Sequence, residues 1–187
     1  MTRKRDQIYN ELLVIRCQDG ESDAFSELVD LWHERLWRHA RRLSSDPELA
    51  NDAMQDAWMA IVRGIGRLDD PAFFRPWAYR IVTHKCTDQI RRVSRRREVV
   101  EEMTRQPTET VGVNSDDDSG EMGTLRSAMA TLPSDRRALL GLHYLEELGL
   151  NEIAAILGIP VGTVKSRLFH ARRALKDALE RTSDERT

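Results

Sequence analysis

The 187-residue chain is short of the features that would narrow its chemistry most. It has two cysteines, Cys17 and Cys86, far apart and without CxxC or metal-ligand spacing. That pattern builds neither a disulfide framework nor a zinc module, and two buried thiols are expected. Apolar runs are only a few residues long, whereas a bilayer-spanning helix needs about 20 apolar residues. The stretch "MTRKRDQIYNE" is basic at its start, but no apolar segment follows. The expectation is therefore a protein without a secretory signal or membrane insertion, resident in the cytoplasm. Strand-like alternation with β-branched residues is almost absent, which argues against a sheet. There is no phosphate loop, nucleophile elbow or HExxH, so no enzymatic activity, metal or cofactor is expected.

Strong net charge is lacking too: it is only −2. The distribution says more than the sum. From Arg80 to Arg97 the chain carries Arg80, Lys85, Arg91, Arg92, Arg95, Arg96 and Arg97 against Asp88 alone. From Ile153 to Lys176 it carries Lys165, Arg167, Arg172, Arg173 and Lys176 against no acid. Between them, Pro107 to Glu121 holds Glu109, Asp116, Asp117, Asp118 and Glu121 against no base. Two basic blocks flank an acidic one, a layout suited to nucleic acid at two places.

What is abundant is helical periodicity. The spacing predicts an all-α protein of two small helical domains: residues 9–97, an acidic flexible linker over 98–120, and a second domain over 121–181. Breaks are expected at "QDGESD", "SSDPE" and "RLDDPAFFRP". In "SSDPE", Ser45 or Asp46 can cap a helix and Pro47 fits its first turn.

"LNEIAAILGIPVGTVKSRL" has the logic of a helix-turn-helix. Ile153, Ala154 and Leu157 form the inner face of a short helix, Gly158 ends it, and Pro160 opens the next. On that second helix Val164, Leu168, Ala171 and Leu175 make the core stripe. Gly162, Lys165, Ser166, Phe169, His170 and Arg173 face away from it, against a major groove. Lys, Ser and Arg reach base edges and phosphates, and an apolar ring can meet a thymine methyl. A plain helical hairpin has no use for that basic face or for the exposed phenylalanine at its centre.

Two helices of the first domain also split in two. In "DPELANDAMQDAWMAIVRGI", Ala50, Ala53, Met54, Ala57, Trp58 and Ile61 share the core side. Glu48, Asp52, Gln55, Asp56 and Met59 share the other, which suits either solvent or a partner helix rich in arginine. In "PWAYRIVTHKCTDQIRRVSRR", Ala78, Val82, Cys86, Ile90 and Val93 face inward. Trp77, Ile81, His84, Asp88, Arg91 and Arg95 line the opposite side. Trp77 either packs on a neighbouring helix or offers unpaired bases a stacking surface beside the arginines.

Together these stretches resemble a bacterial RNA polymerase sigma factor of the extracytoplasmic-function type, group four of the sigma-70 family. "DAMQDAWMAIVRGIGRL" is similar to the helix that docks on the coiled coil of the polymerase's largest subunit. "FRPWAYRIVTHKCTDQIRRVSRR" is similar to the helix that opens and reads the −10 element. "LPSDRRALLGLHYLEELGLNEIAAILGIPVGTVKSRLFHARRAL" is similar to the domain that reads the −35 element. The resemblance runs from about Ala24 to Leu179.

It implies core-polymerase contacts at Asp52, Gln55, Asp56 and Met59. It implies −10 contacts at Trp77, Arg80, His84, Lys85, Asp88, Arg91 and Arg92, with the preceding loop helping to hold a flipped base. It implies −35 contacts at Gly162, Thr163, Lys165, Ser166, Arg167, Phe169, His170, Arg172 and Arg173. The implied partners are core RNA polymerase, at its largest-subunit coiled coil and its flap, promoter DNA, and an anti-sigma factor that holds the chain inactive. The acidic linker would thread the polymerase's channels. Two positions depart from the family. His84 stands where Asn is usual, which offers fewer simultaneous donors and acceptors and shifts −10 preference. His170 stands where arginine often follows the phenylalanine. That makes −35 binding slightly pH-sensitive in expectation, checked by holoenzyme affinity at pH 6 against pH 8. The alternative reading is a stand-alone helix-turn-helix regulator with a sensor or dimerisation domain at residues 9–97.

Overall fold

The computed structural model describes residues 2–44, 46–104 and 121–184, and no strand occurs among them. The chain divides into two compact units, one centred on the earlier helices and one on the later. The first contains α1 (Thr2–Gln18), α2 (Ser22–Leu43), α3 (Pro47–Gly64) and α4 (Phe74–Thr104) as far as Gln89. Two short 3-10 turns, Ile65–Arg67 and Pro71–Phe73, join α3 to α4. The first helix begins at Thr2, earlier than the boundary at Tyr9 that periodicity suggests. Residues 98–104 continue α4 as helix, and 105–120 lie outside the described residues.

Each start has a local cause. Asp46 caps α3, its Oδ1 accepting the Glu48 N–H at 2.8 Å, with Pro47 in the first turn. Asp70 caps the second short turn in the same way, taking the Ala72 N–H at 2.9 Å. The core stacks Leu13, Leu28, Trp32, Leu36, Met54, Ile61, Phe74 and Tyr79. Trp32 and Phe74 meet edge to face with ring centres 5.6 Å apart. Such pairs add about 0.5–1.5 kcal/mol to plain burial. Indole N–H groups are donors only and need acceptors. Trp32 finds Asn10 Oδ1 at 2.6 Å, Trp37 finds Asn51 Oδ1 at 2.7 Å, and Trp58 finds His33 Nδ1 at 3.2 Å.

His39 is fully buried between α2 and α4, and its Nε2 lies 2.9 Å from Thr83 Oγ1. The Thr83 hydroxyl already donates to the Tyr79 carbonyl at 2.8 Å. It therefore accepts from His39, which fixes the ring as the neutral Nε2–H tautomer. Burial, helped by the nearby Arg42 charge, lowers the His39 pKa to about 3.

The structure corrects the expected core stripes at several places. Trp58 is half-buried rather than core, because its indole must reach His33. On α4 the stripe expected at 78, 82, 86, 90 and 93 is buried only as far as Cys86; Val93 is half-buried and Ile90 is 39% exposed. Burial along α4 fades beyond that point, so Ile90 sits at the core's edge. Tyr79 and Thr83, which the stripe omits, are buried instead.

The second unit contains α5 (Glu121–Ala130), α6 (Ser134–Leu140), a wide π-type turn over Gly141–Leu145, α7 (Leu150–Leu157) as far as Ala154, and α8 (Val161–Asp184). Both α5 and α6 pack on α8. Arg137 donates to the carbonyls of Ala130 and Leu132, each at 3.1 Å, which ties α6 to the end of α5. Gly158 has φ +65 and ends α7 in the left-handed conformation, as the motif requires. Glu152 accepts the Gly149 N–H at 2.7 Å and so closes the start of α7. Ile153 and Ala154 are buried as expected; Ile156 is buried too, while Leu157 is half-buried. Val164, Leu168 and Ala171 form the inner stripe of α8, with Leu175 half-buried below them.

Candidate functional site

Three outer faces carry the residues that the sequence singles out. On α3, Asp52, Gln55 and Met59 are exposed and share one side of the helix. Asp56 is half-buried at its edge, where Gln89 Nε2 of α4 lies 3.5 Å from Oδ2. Val62 is exposed next to Met59 along the same row, a residue absent from the sequence-based set. The signal is in the spacing, since Val62 follows Met59 at a three-residue step. The face therefore has an acidic, amide-bearing head and an apolar tail, and its chemistry fits a basic partner helix with apolar edges.

On α4, Arg80, His84, Asp88, Arg91 and Arg92 are exposed, and Lys85 is half-buried. Trp77 is half-buried: its ring lies on Gly64 and is tilted against Phe74, with centres 6.0 Å apart. Neighbour packing thus holds Trp77, while part of its ring stays accessible. The loop before α4 contributes something unexpected. Of the adjacent pair Phe73 and Phe74, the second is fully buried and the first is 58% exposed. Two successive aromatics at a helix start cannot both enter one core, and the pair itself is the signal for an outward ring.

On α8, Gly162, Lys165, Ser166, Arg167, Phe169, His170, Arg172 and Arg173 are exposed and Thr163 is half-buried. Phe169 is 61% exposed, and the His170 ring meets it edge-on with centres 5.5 Å apart. Arg172 leans away from the others, its guanidinium 5.9 Å over the ring of Tyr144. Tyr144 and Leu145 are themselves exposed on the π-type turn. Among the described residues, no group of three or more His, Cys, Asp or Glu side chains is gathered as a metal site. No described helix is long and apolar enough to cross a membrane.

Comparison with known proteins gives the faces a common context. Residues 28–96 match the family described as Sigma-70 region 2, and residues 122–175 match Sigma-70, region 4. The chain is 31% identical over 170 residues to the ECF RNA polymerase sigma factor SigW of Bacillus subtilis, covering 86% of this chain and 91% of that one. It is 31% identical over 192 residues to the RNA polymerase sigma-H factor of Pseudomonas aeruginosa, covering 96% of each. Its fold is similar to that of the sigma factor RpoE solved in complex with the anti-sigma factor NepR from Bartonella quintana. The TM-score is 0.69 at 25% identity, over 83% of this chain and 96% of that one. With two region matches in order and relatives above 30% identity over most of both chains, the chain belongs to the ECF RNA polymerase sigma factors.

Proposed function

We propose that this sigma factor docks on core RNA polymerase through the α3 face, reads and opens the −10 element with α4 and the loop before it, and reads the −35 element with α8. The observation that carries the reading is the separation of three exposed faces with three different chemistries. An acidic face with an apolar tail suits a protein helix. A row of arginines with histidine and aromatic rings suits unpaired bases. A basic helix face with one central phenylalanine suits a major groove. Asp52, Gln55, Asp56 and Met59 serve the first. Trp77, Arg80, His84, Lys85, Asp88, Arg91 and Arg92 serve the second. The α8 set from Gly162 to Arg173 serves the third, with Arg172 on the phosphate side. Its role is that of a non-catalytic initiation factor acting in the cytoplasm.

The division of labour explains why one reader is not enough. Each is small and weak alone; docked on one polymerase, the two act at high mutual effective concentration. The acidic stretch between them repels DNA from the free chain. An anti-sigma factor that covers these faces would hold the chain silent. The similarly folded RpoE was itself solved with an anti-sigma factor bound.

The test is reconstitution. Core polymerase plus this chain should initiate at specific promoters, while the chain alone binds the same duplex poorly. Asp52→Lys with Gln55→Ala should lower core affinity at unchanged melting temperature. Tight, site-specific duplex binding by the chain without polymerase would instead support a stand-alone regulator.

A further inference from the structure

Gln18 is the last residue of α1, a helix that carries none of the proposed contact residues. Its side chain crosses to the loop between α3 and α4. The amide Nε2 lies 3.0 Å from the Ile65 carbonyl oxygen and 2.8 Å from that of Leu68. An amide NH₂ has two hydrogens, and both are used here. The reverse orientation would set Oε1 against two carbonyl oxygens, so the acceptors decide which way the amide points. The Ile65 carbonyl also accepts the Leu68 N–H at 3.1 Å, which closes the short turn that Gln18 braces.

The braced turn sits at a critical place. Ile65 is buried and anchors one end, and fully buried Phe74 anchors the other. Between them Asp70 caps Ala72, and the Phe73 N–H returns to the Asp70 carbonyl at 3.0 Å. With both ends and two internal carbonyls fixed, the backbone that carries the exposed Phe73 ring is held in place. Half-buried Trp77 follows four residues on, ahead of exposed Arg80 and His84. An exposed aromatic just before a helix that carries exposed guanidinium groups offers a stacking surface for a base taken out of its helix. A loop already ordered before DNA arrives spares the entropy of ordering it on binding.

We infer that Gln18 is a positioning residue for −10 recognition, holding Ile65 and Leu68 so that Phe73 receives an unpaired base of the −10 element. The inference rests on the −10 reading proposed above.

The test uses holoenzyme reconstituted with native core polymerase on a promoter mapped with that holoenzyme. Initiation is compared on the native promoter, on one substituted in the −10 element and on one substituted in the −35 element. Gln18→Met and Gln18→Glu keep the side chain's length and remove the paired donors; Phe73→Ala removes the proposed stacking ring. All three should lower discrimination against the −10 substitution by about fivefold or more, with −35 discrimination and core affinity as in the native chain. A merely structural role lowers initiation by one common factor on all three templates, and that result overturns the inference. Native −10 discrimination in Gln18→Met, Gln18→Glu or Phe73→Ala overturns it too. If the unsubstituted chain discriminates at neither element, the promoter reading itself fails, and this result is distinct from the others.

Discussion

Trp77 rests directly on Gly64. A Cβ placed at Gly64 would stand 2.9 Å from Trp77 Cζ2, closer than side chains pack, and 3.4 Å from Cη2. The glycine at the end of α3 is therefore what lets the indole of α4 come this close at the start of the arginine row.

Gly64→Ala sets two effects against each other. The extra methyl overpacks the contact at a cost of about 1 kcal/mol, while alanine in a helix gains back about as much over glycine. The ring is half-buried, so a shift away from the added methyl carries it toward its open side. The expected outcome is a melting temperature near that of the native chain, a displaced Trp77 indole resonance in NMR spectra, and weaker initiation. An unchanged resonance would show that the ring does not depend on Gly64.

Phe169→Ala separates binding from folding. The ring is mostly exposed, so its loss should change stability by no more than about 0.5 kcal/mol. If it meets a thymine methyl in the −35 element, promoter-dependent initiation should fall about fivefold or more. Thermal denaturation and transcription from the same preparation check both halves. Unfolding of the domain would mean that Phe169 holds it together.

Glu147 has φ +48, a conformation that costs a non-glycine residue about 1 kcal/mol. Glu147→Gly removes that strain, partly offset by the greater freedom of glycine in the unfolded chain. The second unit should melt a few degrees higher. A lower melting temperature would mean that the glutamate side chain contributes more than its backbone costs.

His39 should give the first unit an acid-sensitive stability. Its folded pKa is about 3, below the ordinary value of 6.5, so between these pH values the unfolded chain binds a proton that the folded one does not. Stability is then fully present above pH 6.5 and falls with acidification, by at most about 1.4 kcal/mol per pH unit. Denaturant melts at pH 7 and pH 5 measure the slope, and His39→Leu should flatten it.

Both cysteines should be silent in the native protein. Cys86 is buried and its thiol is pushed up to about 12, and burial raises Cys17 as well. A thiol reagent at pH 7.5 should label neither until denaturant is added. Labelling at the native rate of a free thiol would reveal local opening of α1 or α4.

Much of this is legible in the order of residues. The all-α class, the left-handed Gly158 and the cap and proline at Asp46 and Pro47 follow from local chemistry that a few neighbouring residues settle. The exposed side of α8 is legible too, because a single straight helix cannot bury Val164, Leu168 and Phe169 together. Tyr79 and Thr83 are harder. Both are buried against His39, which is more than 40 residues distant from Thr83 in sequence and has no periodic signal of its own.

The sequence by itself determined which residues are basic, acidic or apolar, and at what helical phase. It thereby settled the three chemistries and the family. Only the tertiary structure decided which side chains are shared between elements. It laid Trp77 on Gly64, took Trp58 out of the core to reach His33, turned Phe73 outward while Phe74 went in, and sent Gln18 of α1 to brace a loop about 50 residues away. The physical reason is range. Helical periodicity is written within a few turns of one chain segment. A hydrogen bond or a ring contact between helices exists only once two distant segments have been packed together.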